Sequence, residues 1–233
     1  MKNALAAFKF LVLGDRFIVT QLDPKLVGSG TLYFPLIGLI IGACLVIVNR
    51  VLQPYLESEI LAVVLVTFLI FLTRAAHLNG TQKAFTVSSF TPAAGRSGGI
   101  YGLLAVLLII FFKIRSIEVI GETRSLSLVF SPIFARWSLI IFLYRSTSAA
   151  DESAQRVAEN VTAWHLMIAT AITLGMAIFL VGTTALWIGL CVSLFALLTR
   201  AYLRWRSVDL SSHHFDALVE LSETLSFVLF ACL

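Results

Sequence analysis

The sequence predicts an all-α integral membrane protein built as a polytopic helical bundle. Of its 233 residues, 59% are hydrophobic and 13% are charged, and the mean hydropathy is +0.95, whereas soluble domains carry about 25% charged residues. The apolar residues form continuous runs of about the 20 residues that an α-helix needs to cross a bilayer. Because transmembrane β-strands alternate polar and apolar residues instead, a β-barrel is not expected.

Six apolar runs predict transmembrane helices. They are Leu32–Val51, Leu56–Thr73, Ile100–Ile114, Leu126–Tyr144, Trp164–Val181 and Thr184–Leu203. A shorter seventh run, Ala217–Leu233, is predicted to cross the membrane or to enter it as a re-entrant segment. We interpret residues 1–233 as a single transmembrane domain in which residues 32–233 form the helical bundle.

The first 31 residues are predicted to contain an interfacial helix. They begin MKNALAAFKFLVLGDRF, in which Lys2, Lys9 and Arg16 are interspersed with large apolar side chains. This pattern is typical of a helix lying at the membrane surface. A signal peptide is the alternative, but Lys9 divides the apolar stretch into pieces shorter than a signal sequence requires. We therefore expect the segment to be retained.

The distribution of basic residues predicts the orientation in the membrane. Most lysines and arginines lie on the same side as the N-terminus, whereas Arg50, Lys113, Arg115 and Arg124 fall on the other side. Because basic loops are retained in the cytoplasm, we expect a multi-pass protein of a bacterial-type inner membrane with a cytoplasmic N-terminus. This topology accounts for the net charge of +4. The expected partners are membrane lipid and other membrane protein subunits, not nucleic acid.

Two glycine patterns predict close packing between helices. In FPLIGLIIGA, Pro35 lies at a helix start, where its missing N–H costs least, and Gly38 and Gly42 share one face. Gly99 and Gly102 form a Gly-x-x-Gly pattern at the start of the third run. Small residues at such spacings allow a neighbouring backbone to approach closely, so we predict that these positions are helix contacts.

A buried charge network is predicted around Arg136. This residue lies near the middle of the fourth run, in SPIFARWSL, where an unpaired cation costs at least about 2.5–3.5 kcal/mol. Glu220 and Glu223 occupy a similarly apolar context, and their spacing places them on one helical face. We predict that Arg136 faces the bundle interior and pairs with Glu220 or Glu223. Such a network suits a structural role and a chemical role equally well.

Ligand spacing in the sequence does not predict a metal site. The three cysteines lie in separate apolar runs, so neither a disulfide framework nor a thiolate site is indicated. His77 and either His213 or His214 form a conceivable metal pair, but their spacing matches no recognised ligand set. The sequence also lacks nucleophile-elbow, Walker and dinucleotide-binding patterns.

Five short patterns occur in an order that resembles one enzyme family. They are Phe-Pro-Leu-Ile-Gly at Phe34, His-Leu-x-Gly at His77, Gly-x-x-Gly at Gly99 leading to Lys113, Arg-Trp at Arg136, and Glu-Leu-x-Glu at Glu220. Together they resemble the cobalamin synthase family, the adenosylcobinamide-GDP ribazoletransferases, over about residues 34–233. The resemblance implies a polytopic inner-membrane enzyme that uses Mg²⁺, joins adenosylcobinamide-GDP to α-ribazole or its phosphate, and releases GMP.

The resemblance also implies an acidic metal-binding motif that this sequence lacks. In the family, the loop after the second span reads His-Leu-Asp-Gly and continues with two further aspartates, whose oxygens suit Mg²⁺. Here His77 and Gly80 are retained, but the acidic positions are Asn79, Lys83 and Thr86. A lysine at such a position opposes the binding of a divalent cation.

Two further motifs of the family have also lost their acids. The family's Asp-Ser-Arg and Thr-Gly-Asp correspond here to Gly95, Arg96 and Ser97 and to Ser211, Ser212 and His213. The packing residues remain, and a retained fold without its chemistry is the pattern of a pseudoenzyme. We predict an inactive relative that acts as a scaffold or accessory subunit of a membrane assembly and has no cofactor.

Two alternatives remain open. The first is an active but divergent transferase that binds Mg²⁺ at a rearranged site. Ligands for that site would come from His77, Asn79, Asp151, Glu152 and Glu223. The second is a corrinoid or nucleotide binding or transport protein that holds phosphate through Lys83 and Arg96, since cations of this kind bind phosphate.

Overall fold

The fold is described by a computed structural model over residues 2–13, 24–86, 98–146 and 152–233. Within these ranges there are eleven α-helices, a 3-10 turn and no β-strand. The helices are α1 (Lys2–Leu13), α2 (Pro24–Gly30), α3 (Phe34–Leu52), α4 (Ser58–Leu72), α5 (Ala76–Thr86), α6 (Gly98–Val119), α7 (Arg124–Leu143), α8 (Glu152–Glu159), α9 (Ala163–Val181), α10 (Thr184–Trp205) and α11 (Ser212–Cys232). The prediction of an all-α protein is confirmed.

Five helical stretches among the described residues are long and apolar enough to cross a membrane. They are Leu26–Leu52, Gly99–Val119, Arg124–Leu143, Ala163–Val181 and Thr184–Trp205. A sixth span is reached if α4 and α5, which are bent by 86° relative to each other, are counted as one broken span. The polytopic membrane bundle is therefore confirmed, whereas the predicted count of six holds only with this bent pair.

The segment HLNGTQKAF, interpreted from the sequence as a loop, is part of the helix α5. The preceding helix α4 ends because Arg74 and Ala75 both adopt a positive φ of 54°, a conformation that interrupts a right-handed helix. The Ala75 N–H donates to the Ile70 carbonyl at 2.8 Å, and the Asn79 N–H donates to the Ala75 carbonyl at 3.0 Å. The chain thus turns sharply and starts a new helix at once.

Helix α6 is longer than the predicted third run, since it extends from Gly98 to Val119 instead of from Ile100 to Ile114. Lys113 consequently lies inside the helix and is 2% exposed. Its assignment to a loop on one side of the membrane was wrong. The charge is tolerated there because two carboxylates neutralise it, as described below.

Helices α3 and α7 pack with their backbones almost in contact. A Cβ added to Gly38 would lie 2.6 Å from the Pro132 carbonyl oxygen, and one added to Gly42 would lie 2.6 Å from the Val129 Cα. Pro35 is buried in the first turn of α3. The glycines therefore create the groove into which α7 fits.

The remaining large contacts place α11 in the interior. It packs along α7, α5 and α6, and most of its side chains are buried. At the other end of the chain, α1 buries Ala6, Ala7 and Leu11 in its contacts with α2 and the start of α3. The site described next lies where α5, α6 and α7 meet α11.

Candidate functional site

One face of α11 carries three acidic residues that we call the acidic stripe: Asp216, Glu220 and Glu223. Their spacing of four and then three residues aligns them along the helix. All three are buried, with exposed fractions of 7%, 6% and 2%. Carboxylates in such surroundings need basic partners, because an unpaired buried charge is strongly unfavourable.

Glu223 lies at the centre of an ion-pair network. Its Oε2 accepts a hydrogen bond from the Arg136 Nη1 of α7 at 2.5 Å, and its Oε1 accepts one from the Lys113 Nζ of α6 at 2.7 Å. Lys113 also donates to Glu220. Two cations and two anions from three helices therefore balance one another inside the protein.

Arg136 is fully buried and only partly satisfied by the described residues. Its Nη1 also donates to the Pro132 carbonyl of its own helix at 3.2 Å, whereas Nε and Nη2 have no hydrogen-bond partner there. The predicted network thus brings together Arg136, Glu220 and Glu223, with the direct arginine contact made to Glu223. The second cation, Lys113, was missed.

A signal for Lys113 was available in the sequence. Two buried glutamates opposite one arginine leave one negative charge uncompensated, and IIFFKIRS places a lysine at the end of an apolar run. The lysine was instead counted among the basic residues that indicate membrane orientation, so its pairing with the two glutamates was not predicted. Nor was the role of Asp216, which precedes Glu220 by one helical turn and extends the stripe.

Asp216 joins α11 to α5 through His77. The His77 Nδ1 lies 2.7 Å from the Asp216 Oδ1, and both side chains are buried. Gly80, one turn after His77, allows this approach, because an added Cβ would overlap the Asp216 carboxylate. We call this contact of α5 with α11 the α5–α11 junction.

The remaining candidate positions of α5 are Asn79, Lys83 and Thr86. Asn79 and Lys83 are partly buried, and the Thr86 hydroxyl donates to the Gln82 carbonyl at 2.7 Å. Gly102 of α6 packs against this end of α5, since an added Cβ would overlap the Thr86 Oγ1. These three positions therefore present an amide, an ammonium group and a hydroxyl.

Gly99 does not behave as the sequence predicted. It is exposed, and no described atom lies within 4 Å of the place where its Cβ would be. The described part of α5 ends at Thr86, which meets Gly102, and Gly99 lies almost one helical turn further toward the start of α6. A packing role is therefore supported for Gly102 and not for Gly99.

His214 serves as a helix cap at the start of α11. Its Nδ1 accepts from the Ser211 N–H at 3.0 Å and lies 2.9 Å from the Ser211 Oγ. Burial, and then the nearby His213, lower the pKa of His214 to about 4, so the ring is neutral at pH 7 and can accept. Within the described part of the chain, no group of three or more histidine, cysteine, aspartate or glutamate side chains is placed to hold a metal ion.

Several predicted positions lie outside the described residues. These are Gly95, Arg96, Ser97 and Asp151, together with the side chain of Glu152.

The fold and the acidic stripe define a polytopic membrane protein in whose interior one helix, α11, forms ion pairs with its neighbours α6 and α7. The chain belongs to the cobalamin-5-phosphate synthase family, whose sequence profile matches residues 4–82 and 95–231. The family resemblance predicted from short motifs is thereby confirmed.

Curated relatives share the name adenosylcobinamide-GDP ribazoletransferase. The protein of Syntrophobacter fumaroxidans is 30% identical over 232 residues, which cover 91% of this chain and 90% of the relative. That of Thermoanaerobacter pseudethanolicus is 26% identical over 210 residues, covering 85% and 84%. The Escherichia coli protein is 28% identical over 149 residues, covering 58% and 60%. No solved structure matches the chain.

Proposed function

We propose that this protein is a catalytically inactive member of its family that serves as a membrane scaffold or accessory subunit, without a bound cofactor. One observation carries the proposal: each carboxylate of the acidic stripe contacts a basic side chain of the protein itself. The charges of Glu220 and Glu223 are therefore balanced by Lys113 and Arg136, and Asp216 is engaged by the His77 ring. What remains is a packed bundle suited to a structural role.

The α5–α11 junction does not suit Mg²⁺, the metal that the family resemblance implies. Mg²⁺ requires near-octahedral oxygen ligands, usually including carboxylates. Lys83 instead places an ammonium group one turn from Asn79 on the same face of α5, and the Thr86 hydroxyl is engaged with a backbone carbonyl. Asp216 is held by His77. The amide oxygen of Asn79 is a weak substitute for this ligand set, so these residues do not fit a magnesium site.

We propose an inner-membrane location with a cytoplasmic N-terminus. The multiple spans support a membrane protein, and the excess of basic residues on the side of the N-terminus supports this orientation. Removing Lys113 from the opposite side, because it is buried, strengthens the asymmetry. The proposed partners are lipid and other membrane protein subunits.

An active transferase is the second candidate, favoured by the name of the relatives, several of which are matched over most of their length. It would need ligands for Mg²⁺ from a rearranged set of residues. A third candidate, a corrinoid or nucleotide binder, would retain substrate affinity without turnover.

GMP release distinguishes the candidates. The purified full chain in detergent is mixed with adenosylcobinamide-GDP, α-ribazole phosphate and excess Mg²⁺, with the Syntrophobacter fumaroxidans relative as positive control. An Asn79→Asp/Lys83→Asp variant is assayed in parallel. The matched control is Gln53→Asp/Arg50→Asp, which makes the same change of charge at the end of α3.

We expect no GMP release from the unmodified chain while the relative turns over. Release by the unmodified chain would establish the active transferase and overturn the proposal. Tight binding of adenosylcobinamide-GDP without release would select the binding protein. Turnover gained by the Asn79→Asp/Lys83→Asp variant, and not by its matched control, would attribute inactivity to the replaced acids.

The scaffold role is tested by affinity purification of the full chain at its natural level from its own membrane. We expect other membrane proteins to co-purify in fixed stoichiometry after a detergent wash. Recovery of the chain alone, in a detergent that preserves its thermal unfolding, would contradict an accessory role even if GMP release were absent.

A further inference from the structure

A cavity of about 280 Å³ opens where the ends of α7 and α10 meet the connection to α11. It lies apart from the acidic stripe and is lined by Ser146, Arg200, Arg204, Ser207, Val208, Asp209 and Leu210. Two of these side chains are guanidinium groups and one is a carboxylate. The cavity is therefore a basic depression with hydroxyl groups in its wall.

Arg200 is held in position by the end of α7. Its Nη1 donates to the carbonyl oxygen of Tyr144 at 2.5 Å and to that of Ile141 at 3.5 Å. These carbonyls belong to the negative end of the helix dipole. The contacts through Nη1 fix the side chain. Because a guanidinium group has five N–H donors, the donors on Nε and Nη2 can still bind a ligand.

Arg204 brings a second positive charge to the same wall. It lies one turn after Arg200 on α10, where like charges repel each other, and its side chain makes no hydrogen bond or ion pair with the described residues. An anion between the two groups would relieve the repulsion and use their donors. Arginine pairs bind the oxygens of phosphate in this way, often with two parallel hydrogen bonds.

The backbone beside the cavity adopts an unusual conformation. Ser207 has a positive φ of 53°, and the turn is held by hydrogen bonds from the Ser207 N–H to the Arg204 carbonyl and from the Val208 N–H to the Leu203 carbonyl, both 3.0 Å. This arrangement is the helix ending usually made by glycine. A serine here keeps a hydroxyl at the cavity wall at the expense of backbone strain.

The cavity lies at the depth expected for lipid headgroups. Helix α10 ends at Trp205, which is 77% exposed, and exposed tryptophans at the ends of spans occupy the interface between membrane and water. Basic pockets between transmembrane helices at this level bind phosphate-containing headgroups. Chemistry and position therefore indicate the same class of ligand.

We propose that this cavity is a phosphate-binding site formed by Arg200 and Arg204, with the Ser207 hydroxyl as an additional donor. The phosphate belongs either to the headgroup of an anionic phospholipid or to a soluble phosphate compound. The site is independent of catalysis and does not rest on the proposed scaffold role.

Thermal unfolding of the purified full chain in a non-ionic detergent tests the site. Dioleoylphosphatidylglycerol is titrated against dioleoylphosphatidylcholine, which has the same acyl chains and no net charge. Inorganic phosphate is titrated separately against chloride at equal ionic strength. A ligand that binds the folded protein raises the unfolding midpoint, and the concentration dependence gives its apparent affinity.

The test variant is Arg204→Gln, and Arg206→Gln is the matched control. Both arginines are exposed, both changes remove one positive charge, and Arg206 does not line the cavity. Losing a hydrogen bond to a charged group weakens binding on the order of tenfold. We expect this loss in Arg204→Gln and near-normal affinity in Arg206→Gln.

The two titrations distinguish the sources of phosphate. Stabilisation by phosphatidylglycerol that Arg204→Gln loses assigns the site to a lipid headgroup, and the same pattern with inorganic phosphate assigns it to a soluble compound. Equal weakening by both variants would mean general surface attraction and would overturn the proposal. So would the absence of stabilisation by either phosphate source in the unmodified protein.

Discussion

Helices α7 and α9 have nearly the same hydropathy and opposite positions in the bundle. In the most apolar 18-residue stretch of α7, 83% of the residues are buried inside the protein, whereas 17% are buried in the corresponding stretch of α9. Both helices are long and apolar enough to cross a membrane. Hydropathy therefore predicts that both helices enter the membrane, but it does not predict which of them lies at the centre of the bundle.

The polar and small residues facing each helix account for the difference. Helix α7 presents Arg136 to the acidic stripe, and its Ser138 Oγ donates to the Ser222 Oγ at 3.0 Å. On its other side it fits the glycine groove of α3. Helix α9 makes fewer such contacts, and Gly175 in its middle has no described atom within 4 Å of an added Cβ. Central position thus follows from complementary contacts.

Removing the charge of Glu223 should have the largest effect on this central region. Glu223→Gln leaves Arg136 and Lys113 with the single counter-charge of Glu220, and breaking a buried ion pair costs about 3–5 kcal/mol. We expect a corresponding fall in the free energy of unfolding, measured by chemical denaturation in mixed micelles.

The matched control makes the same change in an exposed ion pair. Glu118 accepts hydrogen bonds from Arg115, whose side chain is 53% exposed, and such surface pairs contribute about 0–1 kcal/mol. Glu118→Gln should therefore be nearly neutral. Equal effects of the two variants would show that the stripe does not hold the bundle together.

The second prediction compares the effect of adding one methyl group beside α7 with the effect of adding one to α9. Gly42→Ala places a Cβ 2.6 Å from the Val129 Cα and 2.8 Å from the Leu128 carbonyl oxygen, so α3 and α7 must move apart. Overpacking of this kind costs about 1–3 kcal/mol.

Gly175→Ala is the matched change in α9. It meets open space among the described residues, and surface changes of this kind are usually within about 0.5 kcal/mol. Comparing the two thermal unfolding midpoints checks the pair. If Gly175→Ala were the more harmful, α9 would have a packing partner that the bundle itself does not provide.

The third prediction concerns the junction between α5 and α11. Asp216→Asn keeps a hydrogen-bond acceptor for His77 and removes its charge, which should lower stability by about 1 kcal/mol. A double-mutant cycle with His77→Asn isolates the pair, because residues in contact show a non-additive energy. Additive effects of the two substitutions would mean that the 2.7 Å contact contributes no net coupling.

The sequence predicted the membrane bundle and the pairing of Arg136 with one of two glutamates, because both depend on the cost of placing polar groups in an apolar medium. It did not reveal that Lys113 joins them, since a lysine near the end of an apolar run is equally consistent with a loop. Contacts between distant helices, such as His77 with Asp216, are not encoded in local spacing. Gly99 shows the opposite case: its motif permits close packing, but none of the described residues packs against it.

The smallest expected effect concerns the bend that separates α5 from α4. Ala75 has a φ of 54°, and this left-handed conformation costs a residue with a Cβ about 1–2 kcal/mol. Glycine removes that strain but increases the conformational entropy of the unfolded chain by the equivalent of about 0.4–1 kcal/mol. Ala75→Gly should therefore leave stability unchanged or raise it by up to about 1.6 kcal/mol, measured by chemical denaturation. The neighbouring Ala76→Gly, at a helical position, should lower it by about 0.5–1 kcal/mol. A loss at both positions would mean that the bend straightens in the membrane and that α4 and α5 form one continuous span.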